Sequence, residues 1–134
     1  MFEIVIVSAA FGFLLVEIIE FFEKRVEHAS SAGIPRENLI IDPGIGFGKS
    51  GSDNLRLLGH LGEFKVIGAP ILVGVSRKAF AGKVTGVSVP AERIEGTAAA
   101  VTAAILNGAH VIRVHDVGFM KRVAAMADAI RGAR

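Results

Sequence analysis

Three short clusters hold most of the side chains that can do chemistry. The first, Asp42-Pro43-Gly44-Ile45-Gly46-Phe47-Gly48-Lys49, sets a carboxylate at the end of the apolar stretch Leu39-Ile40-Ile41 and follows it with three glycines. A carboxylate can accept two hydrogen bonds from the edge of an amidine-like heterocycle, glycines such as Gly46 let backbone approach a flat ligand, and the Phe47 ring can stack on it. The same residues equally describe a plain turn, with Asp42 bonded to its own backbone. The second cluster, Gly74-Val75-Ser76-Arg77-Lys78, gathers a hydroxyl, a guanidinium and an ammonium. That donor set suits carbonyl, carboxylate or phosphate oxygens, or else a solvated basic turn. The third is Arg113-Val114-His115-Asp116. Alternation sends Arg113 and His115 to one side of the chain, where a fork donor beside a protonatable imidazole suits a leaving pyrophosphate as its charge develops. The competing reading makes Arg113 an ion-pair partner of buried Asp42 or Glu95, and His115 structural. His28, His60 and His110 show no metal-ligand spacing.

These clusters need elements to position them. A buried strand is expected at Glu3 to Ser8, with a turn near Gly12. Leu15, Ile18, Ile19, Phe22, Val26 and Ala29 then fall on one helical face, and Gly33 and Pro35 end that helix. After the strand Leu39 to Asp42, Ser52 or Asp53 is expected to cap a helix carrying Leu55, Leu58, Leu61 and Phe64 inward. A strand from Ile71 to Val75 follows. A helical face of Ile94, Ala98, Val101 and Ile105 stops at Asn107-Gly108, and a further strand covers Val111 to Val114. Asp116 is expected to cap a last helix with Val117, Met120, Val123, Ala127 and Ile130 inward. Apolar strands separated by helices predict a parallel sheet covered by helices, and all three clusters sit at C-terminal strand ends, where ligands bind in such folds.

Composition narrows the classes. At 134 residues, 51% of them hydrophobic and 21% charged, the chain can build one globular domain. A net charge of only +2, with no basic run, argues against nucleic acid as a partner. Zero cysteines exclude disulfides and thiolate chemistry, and fit a cytoplasmic protein. The apolar run Ile4 to Val16 is short of the roughly 20 residues a spanning helix needs and lies between Glu3 and Glu17, so no membrane span is expected.

Two other motifs compete. Pro43 stands where a P-loop needs its first glycine. Gly46-Phe47-Gly48-Lys49-Ser50-Gly51 does match G-x-G-x-x-G, and Ser76-Arg77 could cradle a 2′-phosphate, which leaves an NADP-binding module as an alternative. It is weakened by the four residues between strand and fingerprint, and it leaves Arg113 and His115 unexplained.

In combination, D-P-G-I-G-F-G-K, G-V-S-R-K-A-F, E-R-I-E-G-T and G-A-H-V-I-R-V-H-D-V, in this order and spacing, resemble dihydropteroate synthase over roughly residues 17 to 134. The resemblance implies a partial (β/α)8 TIM barrel, three to four βα units of its C-terminal half, because a whole barrel needs about 250 residues. Residues 14–134 would be that half, and residues 1–13 an apolar segment unlike the family. The implied reaction joins 6-hydroxymethyl-7,8-dihydropterin pyrophosphate to p-aminobenzoate, the amine attacking the pterin methylene as pyrophosphate leaves. Asp42 would bond the pterin amino and ring nitrogens beside Gly46 and Gly74, and Lys78 its carbonyl side. Phe47, Ser76 and Arg77 would line the p-aminobenzoate pocket that sulfonamides contest, and Arg113 and His115 would bind pyrophosphate. Lys78, Arg113 and His115 are the implied catalytic set.

The family's N-terminal half would supply an asparagine near the diphosphate, the ligand of an implied Mg²⁺, and a first loop. A half-barrel exposes sheet edges and apolar faces. The expected partner is therefore a second copy or a complementing N-terminal half, and an inactive or partner-dependent pterin-binding half stays open as an alternative. The pterin-binding barrel of corrinoid methyltransferases also carries a strand-end aspartate, but S-R-K with R-V-H-D favours the synthase.

Overall fold

Helix α1 (Leu14–Ser31) forms because Leu14, Ile18, Phe22 and Val26 recur every four residues and are the positions it buries, while its acidic positions face out. Gly33, at φ +96°, ends it, and the Ile34 amide bonds back to the Ala29 carbonyl at 3.0 Å, as the sequence predicts for this terminus. The computed structural model describes residues 3–6 and 14–134. The expected strand end at Ser8, the turn near Gly12 and most of the run Ile4 to Val16 lie outside the described residues. No helix among the described residues is long and apolar enough to cross a membrane.

Strand β1 (Glu3–Ile6) pairs in parallel with β2 (Leu39–Asp42), Ile6 opposite Asp42. Next come α2 (Gly51–Gly59), a 3-10 segment (Leu61–Ile67), β3 (Leu72–Gly74) and α3 (Ala79–Thr85). After a 3-10 turn (Pro90–Glu92) follow α4 (Ile94–Leu106), β4 (Val111–Arg113) and α5 (Val117–Gly132). β3 pairs in parallel with β4, Gly74 opposite Arg113, and a parallel bridge between Ile41 and Ile71 joins the two strand pairs. The strands therefore lie in sequence order, β1-β2-β3-β4. A doubly wound dinucleotide fold reverses its order at a switch point where the ligand binds. No reversal occurs among the described strands, so the NADP alternative lacks its crevice. Sequential parallel strands alternating with helices are instead one arc of an α/β barrel.

Several local expectations change. Ser50, not Ser52 or Asp53, caps α2, its hydroxyl accepting the Asp53 amide at 3.1 Å. The expected single helix through Phe64 breaks after Gly59 and resumes as the 3-10 segment, with His60 (φ −121°) off the helical path. Leu55 is 47% exposed rather than inward, as are Val117 and Ile130 of α5, so the face α5 buries narrows to Met120 and Ala127 with Val123 packed beside them. Asp116 makes no side-chain cap, because its carboxylate is engaged by Arg77. Helix α3 was not anticipated. Its seven residues hold only Phe80, Ala81 and Gly82 inward, too few to show a helical period.

The core runs beneath the sheet from α1 to α4, and Phe22 and Phe64, both 0% exposed, meet edge to face at 5.8 Å. Phe64→Ala is expected to cost about 3 to 5 kcal/mol, read as a lower urea midpoint with unchanged slope. Val66→Ala, at a 67% exposed position two residues on, is expected to stay within about 0.5 kcal/mol of wild type.

Candidate functional site

Asp42 ends β2 with its side chain 1% exposed. One carboxylate oxygen, Oδ1, accepts the Gly44 amide at 2.8 Å, so the turn reading of this motif holds locally. The other, Oδ2, has no hydrogen-bond partner, although Arg113 Nη1 lies 3.3 Å away. The distance makes an ion pair and the misalignment leaves an acceptor unused. An N–H edge presented to Oδ2 would satisfy it.

Arg113 belongs to β4, and β3 lies between it and Asp42. It reaches across because Gly74, its partner in the β3–β4 register, has no side chain: a Cβ there would fall 2.6 Å from Arg113 Nη2. The ion pair expected with Asp42 or Glu95 is thus the one with Asp42, and it is half solvated, Arg113 being 47% exposed.

The glycine turn after Asp42 is tied down from several sides. Gly44, Gly46 and Gly48 have φ of +69°, +88° and +61°, which side-chain-bearing residues rarely adopt. Asn54, 4% exposed in α2, accepts the Gly46 amide at 2.7 Å, and the Lys49 ammonium bonds the Gly44 and Phe47 carbonyls at 2.8 and 2.9 Å. Lys78, at the end of the turn after β3, donates to the Ile45 carbonyl and sets its ammonium 4.5 Å from the Phe47 ring centre. Burial, and then the charge of Arg113, hold the Lys78 ammonium below its usual pKa of 10.5, against the opposing pull of Asp42. Lys49 is lowered too, again chiefly by burial.

Lys78 stands between two cavities. One, of about 300 Å³, is lined by Gly46, Phe47, Lys49 and Asn54 with α3 residues including Phe80. The other, of about 240 Å³, is lined by Gly74, Ser76, Arg113, Val114 and His115. Alternation does bring Arg113 and His115 to one side. Ser76, 6% exposed, accepts the His115 amide at 3.0 Å and lies 2.8 Å from His115 Nδ1, so it fixes both backbone and ring. Arg77 lines neither cavity. Its guanidinium grips Asp116 at 2.9 and 3.3 Å, which holds the Asp116 carboxyl below its usual range and raises Arg77 further. A larger groove of about 350 Å³ between α2, α3 and α4 is lined by residues such as Leu58, Phe80 and Ala100 and no charged side chain, so it offers no comparable chemistry.

Eight of the nine residues selected from sequence therefore meet around Asp42 and Lys78, and Arg77 turns away. Asn54 and Lys49 were given no role in advance. Their signal was available: a lysine closing a glycine run, and an asparagine in the first turn of the helix that follows.

Known proteins resemble the chain along most of its length. A family described as pterin binding enzyme matches residues 13–115. Dihydropteroate synthase of Synechocystis is 44% identical over 120 residues, covering 90% of this chain and 42% of that protein. A Xanthomonas albilineans dihydropteroate synthase solved with 4-aminobenzoic acid superposes at a TM-score of 0.90 and 36% identity, over 96% of this chain and 48% of that one. A Yersinia pestis dihydropteroate synthase solved with a sulfonamide drug gives 0.93 and 33%, over 98% and 51%. The chain spans about half the length of these solved relatives. Their common fold is the TIM barrel expected from sequence, of which this chain forms part.

The donor cavity makes a binding prediction. Arg113→Ala is expected to weaken inorganic pyrophosphate by about 1.5 to 3 kcal/mol in calorimetric titration, the worth of a charge-assisted contact, with folding retained. Unfolding of the variant would instead show that the fold itself depends on the Arg113–Asp42 ion pair.

Proposed function

The chain belongs to the family of pterin binding enzymes, and from that premise we propose that it carries the C-terminal part of a dihydropteroate synthase site. The reaction condenses 6-hydroxymethyl-7,8-dihydropterin pyrophosphate with p-aminobenzoate to give dihydropteroate and pyrophosphate. The observation that carries the proposal is the unused, buried Asp42 oxygen beside a cavity whose walls are cationic. A pterin's amino and ring N–H groups match the first, and a diphosphate matches the second.

In this reading Asp42 takes the pterin edge, with Gly46 and Gly74 admitting the flat ring, and Lys78 donates to the carbonyl side. Phe47 and Ser76 face p-aminobenzoate. Arg77 joins them only by releasing Asp116. Arg113 and His115 stabilise negative charge on the departing pyrophosphate as the carbon–oxygen bond to the pterin methylene breaks. The p-aminobenzoate nitrogen then forms the new bond to that carbon and gives up a proton. No residue has to act as nucleophile, so positioning and charge stabilisation do the catalytic work.

The resemblance also implies Mg²⁺. Among the described residues no group of three or more His, Asp or Glu could hold a metal ion, and the donor cavity carries Lys78, Arg113 and His115 and no carboxylate. These residues do not fit a metal site by themselves, and no step here passes through one. A Mg²⁺ accompanying the diphosphate would take its protein ligand from outside these residues.

Completion of the site is part of the proposal. Val111 is 37% exposed and Arg113 half exposed on β4, while β3 is buried throughout. An open strand with an apolar residue exposed needs a neighbour, which in this reading is a complementing N-terminal half or a second copy. The cytoplasm is the proposed setting.

Purified chain given the pterin pyrophosphate, p-aminobenzoate and Mg²⁺ is expected to release pyrophosphate only when p-aminobenzoate is present and a complementing half is supplied. Release independent of p-aminobenzoate, or none from the reconstituted pair, contradicts the synthase reading.

A further inference from the structure

The segment Glu92-Arg93-Ile94-Glu95-Gly96-Thr97 takes no part in the chemistry above, yet two of its side chains close on the turn that carries Ser76 and Lys78. Arg77 is the one residue other than glycine with positive φ among the described residues, at +58°. That left-handed conformation crowds a Cβ and persists only where neighbours hold it. Both of its backbone polar groups are held from the start of α4. The Arg77 amide donates to Thr97 Oγ1 at 3.1 Å, and Thr97 is 0% exposed. The Arg77 carbonyl accepts Arg93 Nη1 at 2.9 Å.

Arg93 does more than meet one carbonyl. Its Nε donates to the Val87 carbonyl at 3.0 Å and its Nη2 to the Ser88 carbonyl at 2.7 Å, so one guanidinium ties the loop after α3 to the turn after β3. Gly82 makes room for it, since a Cβ there would collide with Arg93 and with the Val87 carbonyl. A lysine has one donor centre and cannot serve three carbonyls in this planar spread.

The left-handed residue is what separates its two neighbours. Ser76 goes one way, to His115, and Lys78 the other, to the Ile45 carbonyl, against Gly46 and over Phe47. We propose that Arg93 and Thr97 are positioning residues that hold residue 77 left-handed and so deliver Ser76 and Lys78 to the ligand site. The clamp is a property of this chain's own geometry. Its consequence for ligand rests on the function proposed above.

The test compares wild type, Thr97→Val, Thr97→Ser, Arg93→Lys and the double variant Arg77→Gly/Thr97→Val. The readouts are NMR titration of the Lys78 side chain, assigned with Lys78→Arg, and affinity for 6-hydroxymethylpterin. In wild type Lys78 is expected to titrate below 10.5, as its burial beside Arg113 dictates. Valine keeps the volume of threonine and removes the acceptor, so in Thr97→Val the Lys78 titration moves up toward 10.5 and pterin affinity falls at least tenfold. Arg93→Lys is expected to do the same, and Thr97→Ser to behave as wild type. Glycine adopts the left-handed conformation without help, so Arg77→Gly/Thr97→Val is expected to restore both readouts. A residue needed only for helix packing would show no such rescue. A folded Thr97→Val or Arg93→Lys with the wild-type Lys78 titration, or a double variant that stays as defective as Thr97→Val, overturns the proposal. If wild type binds no pterin while Lys78 shifts and recovers as described, the positioning role stands and the functional reading falls.

Discussion

A carboxylate at 1% exposure, with one oxygen lacking an aligned donor, is the constraint from which the rest of the site follows. Burying such a charge is costly unless a partner and hydrogen bonds compensate it. Here the Gly44 amide supplies one hydrogen bond and Arg113 supplies the charge from two strands away. That reach depends on the strand order β2-β3-β4 and on the absence of a side chain at Gly74, which together let the guanidinium lie across the middle strand. Lys78 stands close to both: its burial, and then the charge of Arg113, lower its pKa against the opposing pull of Asp42. Compensation that stops short of a full hydrogen-bond set leaves Asp42 able to gain from a ligand.

The sheet shows which part of a barrel the chain forms. Four parallel strands in sequence order are half of an eight-stranded closure, and the chain spans 42% of its Synechocystis relative. The side chains proposed to recognise ligand sit at the C-terminal ends of β2, β3 and β4, within this half. Val111 and Arg113 on β4 are the exposed strand positions at the far end of this sheet.

Much of this was legible in the residues because it depends on local pattern. Short apolar runs, glycines past the ends of α1 and α4 and polar clusters at strand ends follow from periodicity and turn chemistry, and the three clusters do converge. The NADP alternative failed on strand order, which no local motif encodes. Ser50 outcompeted Ser52 and Asp53 as a cap because the helix begins at Gly51, a boundary that hydrophobic spacing leaves open by a residue or two. The resemblance implies a place for Arg77 in the p-aminobenzoate pocket, yet its side chain turns to Asp116. Its left-handed backbone, which swings its side chain toward Asp116, depends on Thr97 twenty residues away. Arginine is a poor signal for that conformation, so the contacts that enforce it came to light only in three dimensions.

The measurement that bears most directly on this account is a titration of 6-hydroxymethylpterin into wild-type chain and into Asp42→Asn, with the thermal midpoint of each recorded. The account predicts saturable binding by wild type and none by Asp42→Asn, because an amide presents one acceptor where the buried carboxylate has two, with folding preserved. Equal affinity in two folded proteins would contradict it, since the unused oxygen of Asp42 would then have no part in recognising the ligand.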